Sequence, residues 1–104
     1  MNTQFKKGVL KLCVLDLLKK QECYGYEIVK VISDSVHVSE GTIYPLLRNL
    51  KEEGLVSTYL KDSSEGPSRK YYKLTSEGEK VQAQIKEDWT EFSYEINKFL
   101  NIKQ

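Results

Sequence analysis

Six apolar residues near the C-terminus, Val81, Ile85, Trp89, Phe92, Ile96 and Phe99, are spaced 4, 4, 3, 4 and 3 residues apart. That spacing is an a/d seam held for almost three heptads. A helix carrying it from Ser76 to Leu100 is ~37 Å long at ~1.5 Å per residue. It is too long to pack only on the small body before it. A chain of 104 residues is one domain with a thin core, so a second copy of the same helix is the expected cover for the seam.

Upstream, the hydrophobic period changes once. Phe5 to Lys20 reads as a helix whose apolar residues cover more than one face, so it should be largely buried. Lys19 and Lys20 close it, where cations suit the negative end of the helix dipole. Gln21-Glu22-Cys23 reads as a short turn. A second helix runs from about Tyr24 to Ser33, with Ile28, Val29 and Ile32 on its inner face and Asp34-Ser35 ending it. After Val36-His37-Val38, Ser39 is placed to cap a third helix that continues to about Glu53. Gly54 supplies the left-handed stop. The period then falls to two. Val56, Thr58 and Leu60 alternate with polar neighbours, and Lys70 to Leu74 alternate again, so the two runs form a β-hairpin. The run Asp62 to Ser68 reads as a long tip. Thr75 can cap the final helix.

The order helix, helix, helix, strand, strand, long helix gives a mainly α chain with a small β-hairpin, an α+β class. It is the arrangement of a winged helix-turn-helix, with residues 1–75 as the body and residues 76–104 as a dimerisation helix, together one compact unit.

On a wheel of the third helix, Ile43, Leu46, Leu47 and Leu50 point to the core. Gly41, Tyr44, Pro45 and Arg48 point nearly opposite, with Thr42 and Asn49 on the flank. A helix entering a major groove needs such a face, with polar tips for base edges and phosphates and no bulk near its N-terminal end. Arg48 suits a guanine edge or a phosphate, and Ser39, Thr42 and Tyr44 suit phosphate oxygens or a thymine methyl. An ordinary solvated helix face has the same look. If Ser39 is the cap, Pro45 lies inside the helix and removes one backbone hydrogen bond. Either the helix bends there or its regular part begins nearer Thr42.

Ser68, Arg69 and Lys70 lie where the hairpin tip meets the returning strand, with Lys61 nearly opposite. A Ser/Gly tip beside clustered cations suits phosphates or an adjacent minor groove. An edge hairpin protected from aggregation would also favour Lys, and Asp62 and Glu65 point that way. Net charge is only +1, but the first two thirds of the chain sum to +3 and the last third to −2. A nucleic-acid binder with this balance must concentrate its cations locally.

Catalysis has little to stand on. The chain has no His–carboxylate arrangement, no glycine-rich phosphate loop and no cysteine with a basic partner nearby. Cys13 falls on an apolar helical face and reads as a small buried hydrophobe. With one histidine, His37, and two cysteines, a zinc site would need carboxylates to complete it. No metal and no cofactor are expected. No apolar run approaches the ~20 residues of a membrane span, and the N-terminus lacks a secretory pattern. A cytoplasmic protein with no membrane partner is expected.

Tyr24-Gly25-Tyr26-Glu27-Ile28, the segment Ser39 to Leu50 with Gly-Thr-Ile-Tyr-Pro at its centre, Glu53-Gly54-Leu55-Val56, and Arg69 to Thr75 followed by Gly78 resemble the PadR family of bacterial transcriptional regulators. The match runs in register from Gly8 to about Val81. The resemblance implies a homodimer that binds a pseudo-palindromic double-stranded DNA operator and represses. It implies DNA contacts from the third helix and the wing, and a dimer formed by the last helix with help from the first, which brings in Leu10. It also implies a small aromatic or hydrophobic effector, held in some short members against a Trp of the last helix. Trp89 occupies the comparable place, with Phe92 beside it. A winged-helix module that binds protein and no DNA is the alternative from another class.

Overall fold

Alternation and capping signals in the chain map onto seven elements in a computed structural model, which describes the backbone of residues 3–103 and the side chains of residues 7–103. They are α1 (Thr3–Lys20), β1 (Cys23–Tyr24), α2 (Gly25–Ser35), α3 (Glu40–Glu52), β2 (Val56–Ser63), β3 (Gly66–Leu74) and α4 (Ser76–Leu100). Lys6 and Lys7 near the N-terminus are two further cations that the sequence offers for gripping a DNA backbone; the side chain of Lys6 lies outside the described residues.

Helix α1 runs through the middle of the body and packs against α2, α3, α4 and β3. Its Leu10, Val14, Leu15 and Leu18 are buried, with Cys13 and Leu17 partly so, as expected of a helix with apolar residues on more than one face. Ile28 and Ile32 of α2, Ile43, Leu47 and Leu50 of α3, and Val56, Tyr72 and Leu74 of the sheet close around it. Each leucine buried this fully contributes about 1.5–3 kcal/mol. The cluster is one continuous core.

Three boundaries differ from the sequence reading. The segment Gln21 to Cys23 is not all turn: Cys23 pairs with Tyr72 and Tyr24 with Tyr71, adding a third antiparallel strand in the order β1-β3-β2. Two residues carry too little periodicity to mark a strand, and only the neighbouring β3 creates it. Helix α2 extends through Asp34 to Ser35, and Val36 then donates its N–H to the Ile32 carbonyl at 2.7 Å. The wing tip is short, because β2 reaches Ser63 and β3 starts at Gly66, so only Ser64 and Glu65 turn. A register shift between Lys61 and Ser63 absorbs the extra residue.

Other signals act as expected. Gly54 has φ of 77°, and Leu55 N–H reaches back to the Leu50 carbonyl at 3.0 Å, the left-handed close of α3. Thr75 caps α4 by accepting from Gly78 N–H at 3.0 Å, and its own hydroxyl donates to the Gly54 carbonyl at 2.7 Å. These bonds fix where α4 leaves the body. Asp16 fixes its direction: it accepts from Gln82 at 3.0 Å and from Lys86 at 2.9 Å on α4, and pairs with Lys20 on its own helix. No helix among the described residues is long and apolar enough to cross a membrane.

Candidate nucleic-acid interface

The expected reading helix is held by its inner face. Ile43, Leu47 and Leu50 are buried and Leu46 is partly buried, so α3 cannot rotate without opening the core. Gly41, Tyr44 and Arg48 are left exposed, while Thr42 and Pro45 are partly covered. Nothing but the Ser39 hydroxyl comes within 4 Å of where a Cβ on Gly41 would be. Gly41 is therefore open to close approach from outside, and the first amides of α3 have no partner within the helix.

One expectation about α3 needs correction, and one alternative left open there is decided. Ser39 stands at the N-cap, and its carbonyl accepts from Thr42 N–H and Ile43 N–H, but its side chain makes no capping bond. The hydroxyl lies 3.4 Å from the Thr42 hydroxyl instead. The helix also begins at Glu40 and runs unbroken to Glu52, so its regular part does not wait until Thr42. Pro45 sits beyond the first turn, and the Gly41 carbonyl loses the amide partner that another residue at 45 would supply.

Tyr44 does not extend freely. Its ring rests on the backbone at the start of α2, where a Cβ on Gly25 would come within 3.0 Å of Cε1. Burial, with a contribution from neighbouring Tyr44, pushes the Tyr72 phenol above its ordinary value. Tyr44 thus rests against the start of α2 with 40% of its surface exposed.

The wing separates residues that are adjacent in sequence. Arg69 pairs with Lys61 and Lys70 with Leu60, and successive strand residues point to opposite faces. Arg69 shares its face with Tyr71 and Tyr59, while Lys70 lies on the face of Tyr72. Ser68 at the tip donates its hydroxyl to Asp62 at 3.0 Å. The acid that seemed to weaken the basic character of the tip is therefore used in shaping it. Sequence reasoning missed Tyr24, Tyr59 and Tyr71 as a group. Tyr59 and Tyr71 carry a signal in their period-two spacing, but Tyr24 joins them only through β1. The Tyr59 hydroxyl donates to Glu22, and that hydrogen bond above all pushes its phenol up to about 12.

On α4, Trp89, Phe92, Ile96 and Phe99 are exposed, Phe99 by 83%, while Val81 and Ile85 are partly buried against the core. Leu10 lies within the chain's own core at 2% exposure and offers almost no surface to a second copy. A groove of about 290 Å³ runs beside Trp89, lined by Val9, Leu12, Ile85, Asp88 and Phe92. A wider groove of about 790 Å³ lies where Lys19, Lys20 and Lys86 face Glu87 and Glu91. Both thiols are poor nucleophiles: burial, then the charge of Asp16, pushes Cys13 up, and burial, then Glu27, pushes Cys23 up to about 11. Among the described residues no three His, Cys, Asp or Glu side chains are placed to hold a metal ion.

The model of the Transcriptional regulator PadR-like family matches residues 14–84, from the middle of α1 into α4. The chain belongs to the PadR-like family. A PadR-like transcriptional regulator from Bacillus cereus superposes with a TM-score of 0.85 at 39% identity, over 96% of this chain and 99% of that one. An uncharacterised protein of Lysinibacillus sphaericus is 32% identical over 90% of each chain. Escherichia coli transcriptional regulator YqjI is 33% identical over 71% of this chain and 36% of its own length. This PadR-like chain has the winged-helix fold of those regulators. It is a DNA-binding transcriptional regulator and not an enzyme.

Proposed function

We propose that the chain is a homodimeric repressor that reads a pseudo-palindromic operator with α3. The observation that carries this reading is the division of α3 into two faces. Ile43, Leu47 and Leu50 lock one face into the core, and Gly41, Tyr44 and Arg48 stand exposed on the other. In this reading Arg48 reaches a base edge, and Ser39, Thr42 and Tyr44 meet phosphates, with Gly41 and Pro45 allowing close approach of the backbone. Ser68, Arg69 and Lys70 of the wing, with Lys7 at the start of α1, grip the flanking backbone.

The rest of the proposal rests on α4. Its exposed Trp89, Phe92, Ile96 and Phe99 are large apolar side chains on one seam, which a second α4 would cover. Residues 1–75 then act as the reading body and residues 76–104 as the dimerisation helix. Two α3 helices related by a two-fold axis reach successive major grooves ~34–36 Å apart. The apolar groove beside Trp89 would hold a small flat effector. Such a ligand relieves repression only if it binds the free and DNA-bound dimers with different affinity. The regulator would act in the cytoplasm, where its operator is.

Gel-shift titration against the DNA upstream of the chain's own gene, at two salt concentrations, tests the operator. A sequence-specific shift that weakens with salt is expected. No specific shift with any genomic fragment would leave the protein-interaction module as the better reading. Sedimentation is expected to give twice the 12.1 kDa chain mass, falling to the chain mass when Phe92 and Phe99 are changed to Asp.

A further inference from the structure

Three tyrosines lie side by side on the solvent face of the sheet, one from each strand. Tyr24 of β1 is opposite Tyr71 of β3, which is opposite Tyr59 of β2. Ring centroids are 5.5 Å apart in both pairs. Two residues further toward the wing tip on the same face, Lys61 and Arg69 are directly paired across the strands. The Arg69 guanidinium carbon is 4.6 Å from the Tyr24 ring centroid, and Lys61 Nζ is 5.2 Å from that of Tyr71.

Like charges directly opposite one another on paired strands repel. Among the described residues neither cation has a carboxylate partner. Two acids of this region are already engaged, Asp62 with Ser68 and Glu22 with Tyr59. The ring faces offset part of the repulsion and also restrict two long, flexible side chains before any partner arrives. Two adjacent cations, ordered and without an acid, match a polyanion whose charges repeat along its length.

We propose that Tyr24 and Tyr71 are positioning residues for DNA binding, holding Arg69 and Lys61 as an ordered pair of cations on one face of the wing for the phosphate backbone of the duplex. Lys70, on the opposite face, is outside this pair. Tyr24 is also the residue from which α2 starts, so the wing's cations are tied directly to the helix-turn-helix. The inference rests on the DNA-binding reading and deepens it by naming what orders the phosphate contacts.

Phosphate contacts do not depend on sequence, so a labelled duplex of mixed sequence serves as the probe, with full-length protein and binding followed by anisotropy over a salt series. Tyr24→Leu should weaken binding about two- to five-fold and reduce the salt slope by about 0.9, one phosphate contact. Tyr24→Phe, which keeps the ring face, should bind as the unaltered protein does. On an Arg69→Gln background, Tyr24→Leu should have no further effect. Additive losses in the double variant, or a Tyr24→Leu protein with unchanged affinity and slope, would overturn the proposal. A second measurement needs no variant: the Arg69 side-chain protons of the free protein should be shifted upfield by the Tyr24 ring, and random-coil shifts would also overturn it. Failure of the unaltered protein to bind any duplex at low salt would instead overturn the DNA reading, and this inference with it.

Discussion

A Cβ on Gly25 would lie 3.0 Å from Cε1 of Tyr44, so the tyrosine ring rests on the bare backbone at the start of α2. Through this contact the first helix of the helix-turn-helix sets the position of a side chain on the reading helix. Gly25→Ala is expected to move the ring by a few tenths of an ångström or more. Alanine is the better helix former by about 1 kcal/mol at most, which offsets part of the strain. The melting temperature should therefore change little, while affinity for the operator falls severalfold. Thermal melts run beside operator titrations check this, and an unchanged affinity would place Tyr44 outside the DNA contact.

Arg48 stands exposed on α3, one turn beyond Tyr44 on the same face. Arg48→Ala is expected to cost about 1–3 kcal/mol of operator binding and to relax preference at one base position. Titration against an operator and its single-base variants gives the answer. A uniform weakening on every sequence would mean that Arg48 meets only phosphate.

Gly78 is packed against backbone. A Cβ there would come 2.0 Å from the Leu55 carbonyl oxygen and 2.8 Å from a Leu74 methyl. A carbonyl in the turn between α3 and β2 cannot move aside without pulling at the Gly54 and Thr75 bonds. Gly78→Ala is therefore expected to destabilise the fold by about 3 kcal/mol or more, a large part of what a domain of this size has. Urea denaturation measures it, and a midpoint close to that of the unaltered protein would contradict the packing described.

Asp16 joins α1 to α4 through Gln82 and Lys86. The Lys86 hydrogen bond holds its carboxyl below the usual carboxylate range, against the opposing effect of partial burial, with Lys20 adding to the lowering. A depressed folded-state pKa means that this stabilisation is present above the ordinary value near 3.8 and is lost as pH falls through the lowered one. Asp16→Asn should therefore destabilise the protein by about 1 kcal/mol at neutral pH, the upper range for solvent-accessible pairs. The gap to the unaltered protein should close in acid below pH 4. Denaturation at a series of pH values follows it, and a gap that persists into strong acid would assign the effect to packing.

Local chemistry made much of this protein legible from its residues. Gly54 at the end of α3, Thr75 before α4, the fall in period after Gly54 and the 3- and 4-residue spacing on α4 each act through groups only a few residues apart, so sequence alone determined the helices, the hairpin and the exposed seam. The two faces of α3 followed from the same periodicity. Other features depend on residues far apart in the chain and only the tertiary structure decided them. Cys23 and Tyr24 become a strand because β3 lies beside them. Arg69 and Lys70 part company because β3, paired with β2, reaches back to Gly66, so both lie in the strand and its pleat puts them on opposite faces. Leu10, one apolar residue of a helix with apolar residues on more than one face, is core and not surface because α2, α3, α4 and β3 pack around α1. Asp16, an interruption in an apolar run when read in one dimension, is the anchor of α4, since Gln82 and Lys86 reach it only after the chain has folded back. The physical reason is range: caps and periods are written within a helical turn, whereas a cross-strand partner or a buried hydrogen bond exists only once two distant segments have packed.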